Sequence, residues 1–339
     1  MELMLPLSIP PLPDPIRYGQ KLLLVGSCFT EHIGDALARV KFDVMQNPHG
    51  ILFGPDSVCH CLRSCLHDVP AGRNDLFQLG EVWHSWHHHS RFSHTDPEEV
   101  LVRIDRSRTD GHSYLLKADW LILTLGSSFS YRLTERASTA SLCPGDAVAN
   151  CHRAPSDWFE KRLLETHEII RDLEDTVRAI RDRNPGIRII FTISPVRHIR
   201  DGVVENNRSK ARLIEAVHYL CARLSGSYYF PAYELVIDVL RDHRFYDIDL
   251  VHPNFAATRY VMERFAAACI DPSARPIMEE VEKIVAARQH RPFLPETHAH
   301  RDFRASLLAR VDALQRRYPY LDLDKERRYF SGEGQEAPF

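Results

Sequence analysis

Residues 21–40, KLLLVGSCFTEHIGDALARV, decide the fold class of this 339-residue chain. The run KLLLV is short and apolar, which is typical of a buried strand. Apolar residues then recur at Ile33, Leu37 and Val40, at spacings of four and three that are typical of a helix. A loop at 26–30 joins the two segments. A strand that leads directly into a helix predicts an α/β protein in which helices cover a parallel sheet.

The same alternation of strand and helix continues along the chain. Further strands are predicted at 42–45, 120–125, 187–193 and 227–230. One helix is predicted to start after Pro155, with Ser156 as its cap, and to bury Ile170, Leu173, Val177 and Ile180. Another is predicted to bury Leu213, Val217, Leu220 and Leu224. Ligands bind at the carboxyl ends of parallel strands, so chemistry is expected in the loops at 26–30, 47–54, 126–131, 194–198 and 231–234.

Composition and charge exclude several classes of protein. Hydrophobic residues make up 44% of the chain and charged residues 26%, which is enough apolar material for a full core. The net charge is −3 and no basic block occurs, so we expect no nucleic-acid partner. No apolar run is long enough to span a membrane, and the Pro-rich start does not resemble a signal peptide. The eight cysteines are therefore expected to be thiols, and the location cytoplasmic.

Two regions of the chain are additional to a minimal α/β sheet domain. Residues 56–119 separate the second and third predicted strands, and an insertion of this length predicts a lid or a subdomain. Residues 275–339 have a polar, helical pattern, so they are expected to form a C-terminal helical extension to a main domain at 1–274.

Two short segments carry the residue types of nucleophilic catalysis. Cys28 is predicted at the head of a helix, where the helix dipole favours a thiolate and backbone N–H groups face an oxyanion. Asp249 lies three residues before His252, a spacing that lets the carboxylate hold one ring nitrogen while the other faces a nucleophile. Taken alone, the first segment equally fits a buried Cys in a tight turn, and the second a surface loop.

Together these segments resemble the GSCFA family, a bacterial group placed with the SGNH (GDSL-type) hydrolases. The resemblance covers most of residues 20–255. It is carried by VGSCFTEHIG (25–34), NPHGILFGP (47–55), WHSWHHHSRFS (83–93), LTLGSS (123–128), VANCHRAP (148–155), SPVRHIRDGVVENNRSKA (194–211), YFPAYELVIDVLRDHRFY (229–246) and DLVHPN (249–254). The resemblance implies a flavodoxin-like three-layer α/β/α sandwich. It also implies ester hydrolysis or acyl transfer through a covalent acyl-enzyme.

The SGNH pattern suggests a role for each catalytic candidate. Aligned without a gap, Gly-Asp-Ser places Cys28 on the nucleophile and Ser27 on the Asp, and Ser27 remains the alternative nucleophile. His252 would be the base and Asp249 its orienting carboxylate. A thioester is a good acyl donor, which favours transfer over hydrolysis.

Oxyanion donors are harder to assign from the resemblance. The N–H of the nucleophile and Gly50 fit the pattern, and Gly126 fits the start of the third block. The Asn that follows in SGNH enzymes is missing here, so either Ser128 or Asn150 is expected to replace it.

Substrate contacts are predicted from the same loops, at Asn47, His89, Ser90, His152, Arg197, His198, Tyr233 and Glu234. Arg197 suits a carboxylate or phosphate as well as a salt bridge that anchors its loop. Glu234 is a candidate brace for the Asp249–His252 loop. His152 would contact substrate or cap a helix. The expected substrate is a small-molecule, glycan or peptide acyl ester.

Metal binding and other functions are the rivals to this interpretation. His84, His87, His88, His89 and His94 suggest a metal, and Cys59, Cys61, Cys65 and His67 are close in sequence but lack a CxxC pair. We therefore expect no metal and no cofactor, with a zinc-dependent hydrolase as the alternative. A non-catalytic carbohydrate- or peptide-binding protein is the other alternative. An acyl carrier or coenzyme A could donate the acyl group, although no phosphate-binding Gly-rich loop is visible, and a homodimer remains open.

Overall fold

The computed structural model describes residues 4–137, 139, 141–290, 293–294 and 296–333. Its strands are β1 (Lys21–Gly26), β2 (Asp43–Gln46), β3 (Leu76–Leu79), β4 (Val82–Ser85), β5 (Trp120–Leu125), β6 (Phe129–Leu133), β7 (Ala147–Val148), β8 (Phe159–Leu163), β9 (Arg188–Ile193) and β10 (Ser227–Phe230). Its helices are α1 (Cys28–Arg39), α2 (Pro55–His67), α3 (Pro97–Leu115), α4 (Thr166–Arg183), α5 (Gly202–Arg223), α6 (Ala232–Glu234), α7 (Phe255–Cys269), α8 (Arg275–Gln289), α9 (His298–Arg317) and α10 (Asp324–Ser331). A π-helical turn, Leu235–Leu240, continues α6.

Five parallel strands form the central sheet in the order β10-β9-β5-β1-β2. Counted along the chain, this is the 2-1-3-4-5 order of flavodoxin-like folds. Every residue of β5, the middle strand, is buried, as expected for a parallel strand that is covered on both faces. The predicted α/β fold with a parallel central sheet is confirmed.

Alternate residues of each strand supply two separate cores, one on each face of the sheet. Leu22 and Leu24 face α1, α7 and the C-terminal helices. Leu23 and Val25 face α2, α3, α4 and α5. The result is a three-layer α/β/α sandwich. Because the five strands are parallel, the loops that follow them all lie at one edge of the sheet.

The segment 56–119 contributes two helices to the second of these layers. Val58, Leu62 and Leu115 are at most 1% exposed and pack against the sheet. The segment predicted as a lid or subdomain is therefore mostly part of the sandwich. Between these two helices, β3 and β4 form a separate antiparallel hairpin. After β5, the strands β6, β7 and β8 form a small antiparallel sheet.

The predicted start of the helix after Pro155 is wrong. Ser156 begins only a 3₁₀ turn, and β8 follows it, with Phe159 opposite Leu133 of β6. Pairing with β6 holds this segment extended, so α4 begins only after Glu165, whose N–H donates to the Glu168 side chain at 2.9 Å.

The helices after residue 275 lie against the first core. Val281, Ile284, Val311 and Phe330 share that core with Ile16 from the N-terminal arm. Helices were expected in this region, and their apolar residues belong to the same core as Leu22 and Leu24 of β1. Among the described residues, no helix has the length and apolar character needed to cross a membrane.

Candidate active site

The turn after β1 places Cys28 at the carboxyl edge of the sheet. A Cβ on Gly26, whose φ is +149°, would lie 2.1 Å from the Thr124 carbonyl oxygen, so only glycine fits there. Ser27 donates its N–H to the same oxygen at 3.1 Å and is the N-cap of α1. The close approach of β5 therefore fixes where α1 begins, and Cys28 is its first residue.

Cys28 is partly exposed, and its surroundings act on the thiol in opposite directions. Burial raises the pKa of Cys28, whereas the N–H groups of Phe29 and of Cys28 itself, and the charge of Lys210, favour the thiolate. Burial dominates, so the readily formed thiolate predicted from the helix position is not the resting state, and the thiol needs a base. Ser27 is only 1% exposed, and its hydroxyl has no hydrogen-bond partner within the described residues.

Asp249 and His252 form a pre-oriented pair. Asp249 Oδ2 lies 2.7 Å from His252 Nδ1, and Asp249 Oδ1 accepts the N–H groups of Val251 and His252 at 2.9 and 3.0 Å. These hydrogen bonds, chiefly the one from the His252 ring, lower the pKa of Asp249 to about 2. Leu250 adopts a φ of +57°, which turns the chain tightly enough for both contacts. Nε2 of His252 is thus left free to take a proton, and the pair is about half exposed.

The loop after β9 supports the Asp249–His252 loop. Arg197 donates its N–H to the Val251 carbonyl at 3.2 Å, and its guanidinium lies 4.2 Å from the Tyr246 ring centre and contacts the Leu250 carbonyl. These contacts anchor the loop through carbonyl groups and an aromatic ring, and no salt bridge of Arg197 occurs among the described residues. His252 therefore lies at the same edge of the sheet as Cys28.

His198 follows Arg197 in the loop after β9. Its ring stands edge-on to Phe53, with 5.1 Å between ring centres, and its Nε2 is buried without a partner in the described structure. Burial, followed by the charges of Lys210, Lys161 and His252, lowers the pKa of His198 to about 4. His198 is therefore neutral at pH 7 and lies within electrostatic range of His252.

Lys210 is a buried residue of this edge that the sequence analysis did not select as a site residue. Its Nζ donates to the carbonyls of Gly126 and Ser194, both at 2.6 Å, where β5 and β9 end. Burial lowers the pKa of Lys210 to about 7, and the charge of a Cys28 thiolate would raise it. A signal was available in the sequence, because Lys210 falls on the buried stripe of α5 with Asn206, Leu213 and Val217.

Most of the predicted oxyanion donors are already engaged. The Gly50 N–H donates to the Asn47 carbonyl at 2.8 Å, and the Gly126 N–H donates to the Phe53 carbonyl at 2.9 Å. The Ser128 hydroxyl is fully buried and donates to the Ser209 carbonyl. These three groups are committed to loop structure, so none of them is free for an oxyanion.

The side-chain amide of Asn150 is still able to donate a hydrogen bond. Its Oδ1 accepts the His152 N–H at 2.8 Å, and its Nδ2 makes no hydrogen bond within the described part of the chain. Of the four predicted donors other than the N–H of the nucleophile, Asn150 is the one whose polar hydrogens make no hydrogen bond within the described residues.

The loops after β2 and β4 form a wall that includes several predicted contact residues. Asn47 is buried and accepts the Gly26 N–H through Oδ1 at 2.9 Å, so it holds the turn before Cys28. The Cβ of His89 occupies the space beside Gly50, and burial lowers the pKa of His89. Ser90 lies 3.2 Å from His152 Nδ1, and His152 Nε2 contacts the Ser85 carbonyl.

Tyr233 and Glu234 lie after β10, as predicted, but their described contacts are local. Glu234 accepts the Tyr229 hydroxyl at 2.8 and 2.9 Å, and no hydrogen bond joins it to the Asp249–His252 loop within the described residues. Burial raises the pKa of Tyr233, whose ring lies 5.8 Å from Lys210 Nζ.

Comparison with known proteins identifies relatives at the family level. A model of the GSCFA family matches residues 21–265, and a model of the C-terminal domain of GSCFA domain proteins matches residues 281–333. No curated protein matches the chain.

The similarity of this chain to solved structures is distant. One is a carbohydrate esterase family 3 protein from Talaromyces cellulolyticus, at 8% identity and a TM-score of 0.37, covering 77% of this chain and 99% of that one. Another is a family two carbohydrate esterase from Clostridium thermocellum in complex with cellohexaose, at 11% identity and a TM-score of 0.37, covering 76% and 65% of the two chains. A third is the acetyl xylan esterase Est2A from the rumen bacterium Butyrivibrio proteoclasticus, at 11% identity and a TM-score of 0.36, covering 74% and 65%.

Proposed function

Since the chain belongs to the GSCFA family, we propose from the geometry of its site that it is an acyl-ester hydrolase or acyltransferase. Cys28 is the nucleophile, His252 the general base and acid, and Asp249 the carboxylate that orients His252. The observation that carries this proposal is the 2.7 Å contact between Asp249 and the Nδ1 of His252 at the edge of the sheet where Cys28 begins α1.

The raised pKa of Cys28 makes the base necessary. Because burial keeps the thiol protonated, attack has to be coupled to transfer of its proton to His252 Nε2. Asp249, fully ionised above its pKa of about 2, stabilises the imidazolium that forms. The sulfur forms a bond to the acyl carbon, and the carbonyl oxygen becomes an oxyanion.

Collapse of this intermediate breaks the bond to the leaving group. His252 returns the proton to the departing alkoxide or thiolate, and an acyl thioester remains on Cys28. Water or an acceptor hydroxyl or amine then attacks the thioester, loses its proton to His252, and releases the acyl group and the Cys28 thiol. The choice between water and another acceptor separates a hydrolase from a transferase.

The oxyanion is assigned to two donors. One is the backbone N–H of Cys28, at the first position of α1, where the helix leaves it without an intrahelical partner. The other is the amide of Asn150, which replaces the missing third-block Asn. Loss of one such donor typically costs about 2.7–4 kcal/mol of transition-state stabilisation.

The exposure of the catalytic pair favours a large or flexible substrate. Asp249 and His252 are 46% and 45% exposed, so the acyl group can be presented by a glycan, a peptide or an acyl carrier. The same edge offers apolar side chains at Ile248, Leu250 and Phe255, all at least half exposed. These residues suit the acyl chain or the body of such a substrate.

Kinetic comparison of four variants tests the assignment. We expect His252→Ala and Cys28→Ala to abolish turnover of a panel of acyl esters and thioesters, with unchanged circular dichroism. Ser27→Ala is expected to retain activity, because the Ser27 hydroxyl is buried. Activity lost in Ser27→Ala and kept in Cys28→Ala would transfer the nucleophile to Ser27. Full activity in His252→Ala would overturn the mechanism, and inactivity of the native chain toward the whole panel would favour a non-catalytic binding protein.

A further inference from the structure

A buried cluster of one imidazole and two thiols lies beneath the loop that follows β2. One donor atom each from His49, Cys61 and Cys65 lies within 4.8 Å of the other two. His49 is 1% exposed and both cysteines are fully buried. Cys61 and Cys65 are four residues apart, so they lie on one face of α2, whereas His49 comes from a different element. The topology, and not a local motif, brings the three together.

His49 has the properties of an unoccupied ligand. Neither of its ring nitrogens has a hydrogen-bond partner within the described residues, although the ring is buried. Leaving a buried polar group without a partner costs about 1–3 kcal/mol.

Helix α3 and the loop after β4 enclose the cluster closely. A Cβ on Gly111 of α3 would lie 2.8 Å from the Cys65 sulfur, so that helix approaches the cluster closely because glycine is present. His88 lies beside His49, with 4.0 Å between ring centres, and its Nδ1 bonds the Ser85 hydroxyl at 2.9 Å. Its Nε2 makes no hydrogen bond within the described residues, and a hydrogen bond to the other ring nitrogen is common among metal-bound histidines.

We propose that His49, Cys61 and Cys65 hold a structural zinc ion, and that His88, whose ring nitrogens are not among the clustered donor atoms but whose ring lies beside His49, turns to complete the site. Two thiolates and two imidazoles are a typical tetrahedral donor set for Zn²⁺. Binding would release the two thiol protons and form two Zn–S bonds, so the buried site would carry no net charge. No oxidant or reductant takes part.

The site would be structural and not hydrolytic. It is closed to solvent, whereas a catalytic zinc keeps one position open to water or substrate. Through His49 it would tie α2 to the loop that contains Asn47, which in turn holds the Gly26 N–H. The expectation of no metal was drawn from the absence of a CxxC pair, and that spacing could not include a ligand contributed from before α2.

Metal content of the purified full-length chain tests the proposal directly. We expect about one zinc per chain by elemental mass spectrometry, and loss of it in Cys61→Ser, Cys65→Ser and His49→Gln. Cys59→Ser is the matched control, because Cys59 is equally buried on α2 but lies toward Thr176 of α4, outside the cluster. Zinc retained in all three cluster variants, or lost equally in Cys59→Ser, would overturn the proposal.

A second measurement covers variants that fail to fold. Native chain stripped of zinc with a chelator and loaded with Co²⁺ should show the intense absorption of thiolate-to-cobalt charge transfer. Native chain that takes up neither zinc nor cobalt would refute the site. A native mass two hydrogens lower, mapped to a Cys61–Cys65 disulfide, would also refute it. None of these readouts depends on acyl turnover, so the zinc site and the proposed catalytic function can fail independently.

Discussion

Substitution of Lys210 by Met should change how the stability of the chain depends on pH. The amine is fully buried, and its pKa falls from 10.5 to about 7. Between these two values the unfolded chain holds a proton on Lys210 that the folded chain has lost. Stability therefore rises with pH across this window. Each pKa unit corresponds to about 1.36 kcal/mol, so the shift of 3.5 units represents a penalty of about 5 kcal/mol for burying the charged amine at acidic pH.

The pH dependence isolates this contribution from the other effects of the substitution. Integrating the linkage relation with the two pKa values gives wild-type chain a gain of about 2 kcal/mol between pH 7 and pH 9, which Lys210→Met lacks. The variant also leaves the Gly126 and Ser194 carbonyls without their donor, but the cost of losing these hydrogen bonds does not depend on pH in the variant. The unfolding free energy of wild type minus that of Lys210→Met should therefore become more positive by about 2 kcal/mol from pH 7 to pH 9.

Urea unfolding followed by tryptophan fluorescence and far-UV circular dichroism measures this difference. Lys283→Met is the control, because Lys283 lies on an exposed face of α8. Its difference from wild type should be the same at both pH values. If the free energy of wild type minus that of Lys210→Met stays constant or falls from pH 7 to pH 9, the claim that Lys210 is a buried amine with a pKa near 7 is refuted.

Two further predictions concern the loops of the site. Gly50→Ala should lower the free energy of unfolding by about 2–4 kcal/mol, because φ is +83° and the new Cβ would lie 2.2 Å from the His89 Cβ. Gly80→Ala, at a φ of +61° in open space, should cost only about 1 kcal/mol, and equal losses in the two urea titrations would contradict this reasoning. Asp249→Asn should lower kcat by a factor on the order of 10²–10⁴, because the amide no longer stabilises the imidazolium of His252. The activity of the wild type between pH 4 and 7 should not follow the ionisation of Asp249, because its pKa is about 2. An unchanged kcat in Asp249→Asn would exclude the role of Asp249 in orienting His252.

The sheet could be predicted closely because its strands are continuous apolar runs. The run at 120–125 matches β5 residue for residue, since a strand buried on both faces must be apolar throughout. The edge strand β8 could not be recognised in this way. It has the polar sequence FEKRL, and only its antiparallel pairing with β6 holds it extended. Because of that omission, the predicted N-cap of α4, Ser156, lies nine residues before the observed N-cap, Glu165.

The site was predictable where its contacts are local in sequence. The Asp249–His252 pair depends on a spacing of three residues, and the spacing alone indicated the hydrogen bond that the structure contains. The partners of Gly126 and Ser128 are Phe53 and Ser209, which are brought to these groups by the packing of separate loops. Sequence spacing could not indicate that those donors were already in use.

Buried polar residues on apolar stripes were the signal left unused. Lys210 occupies a helix position where burial demands an apolar side chain, and its amine is satisfied by carbonyls from two different strands. His49 is similar, because its neighbours on α2 and after β4 come from segments that are distant in the chain. A charged or imidazole side chain at such a position predicts a tertiary partner, although not which one.

Mapping a trapped acyl group tests the central claim most directly. Native chain incubated with an activated acetyl ester or acetyl thioester, quenched in acid and digested, should carry acetyl on the peptide that contains Cys28. The label should be absent in Cys28→Ala and should form far more slowly in His252→Ala. Acetyl found on another residue, or acetylation of Cys28 at the same rate with and without the His252 imidazole, would contradict the account.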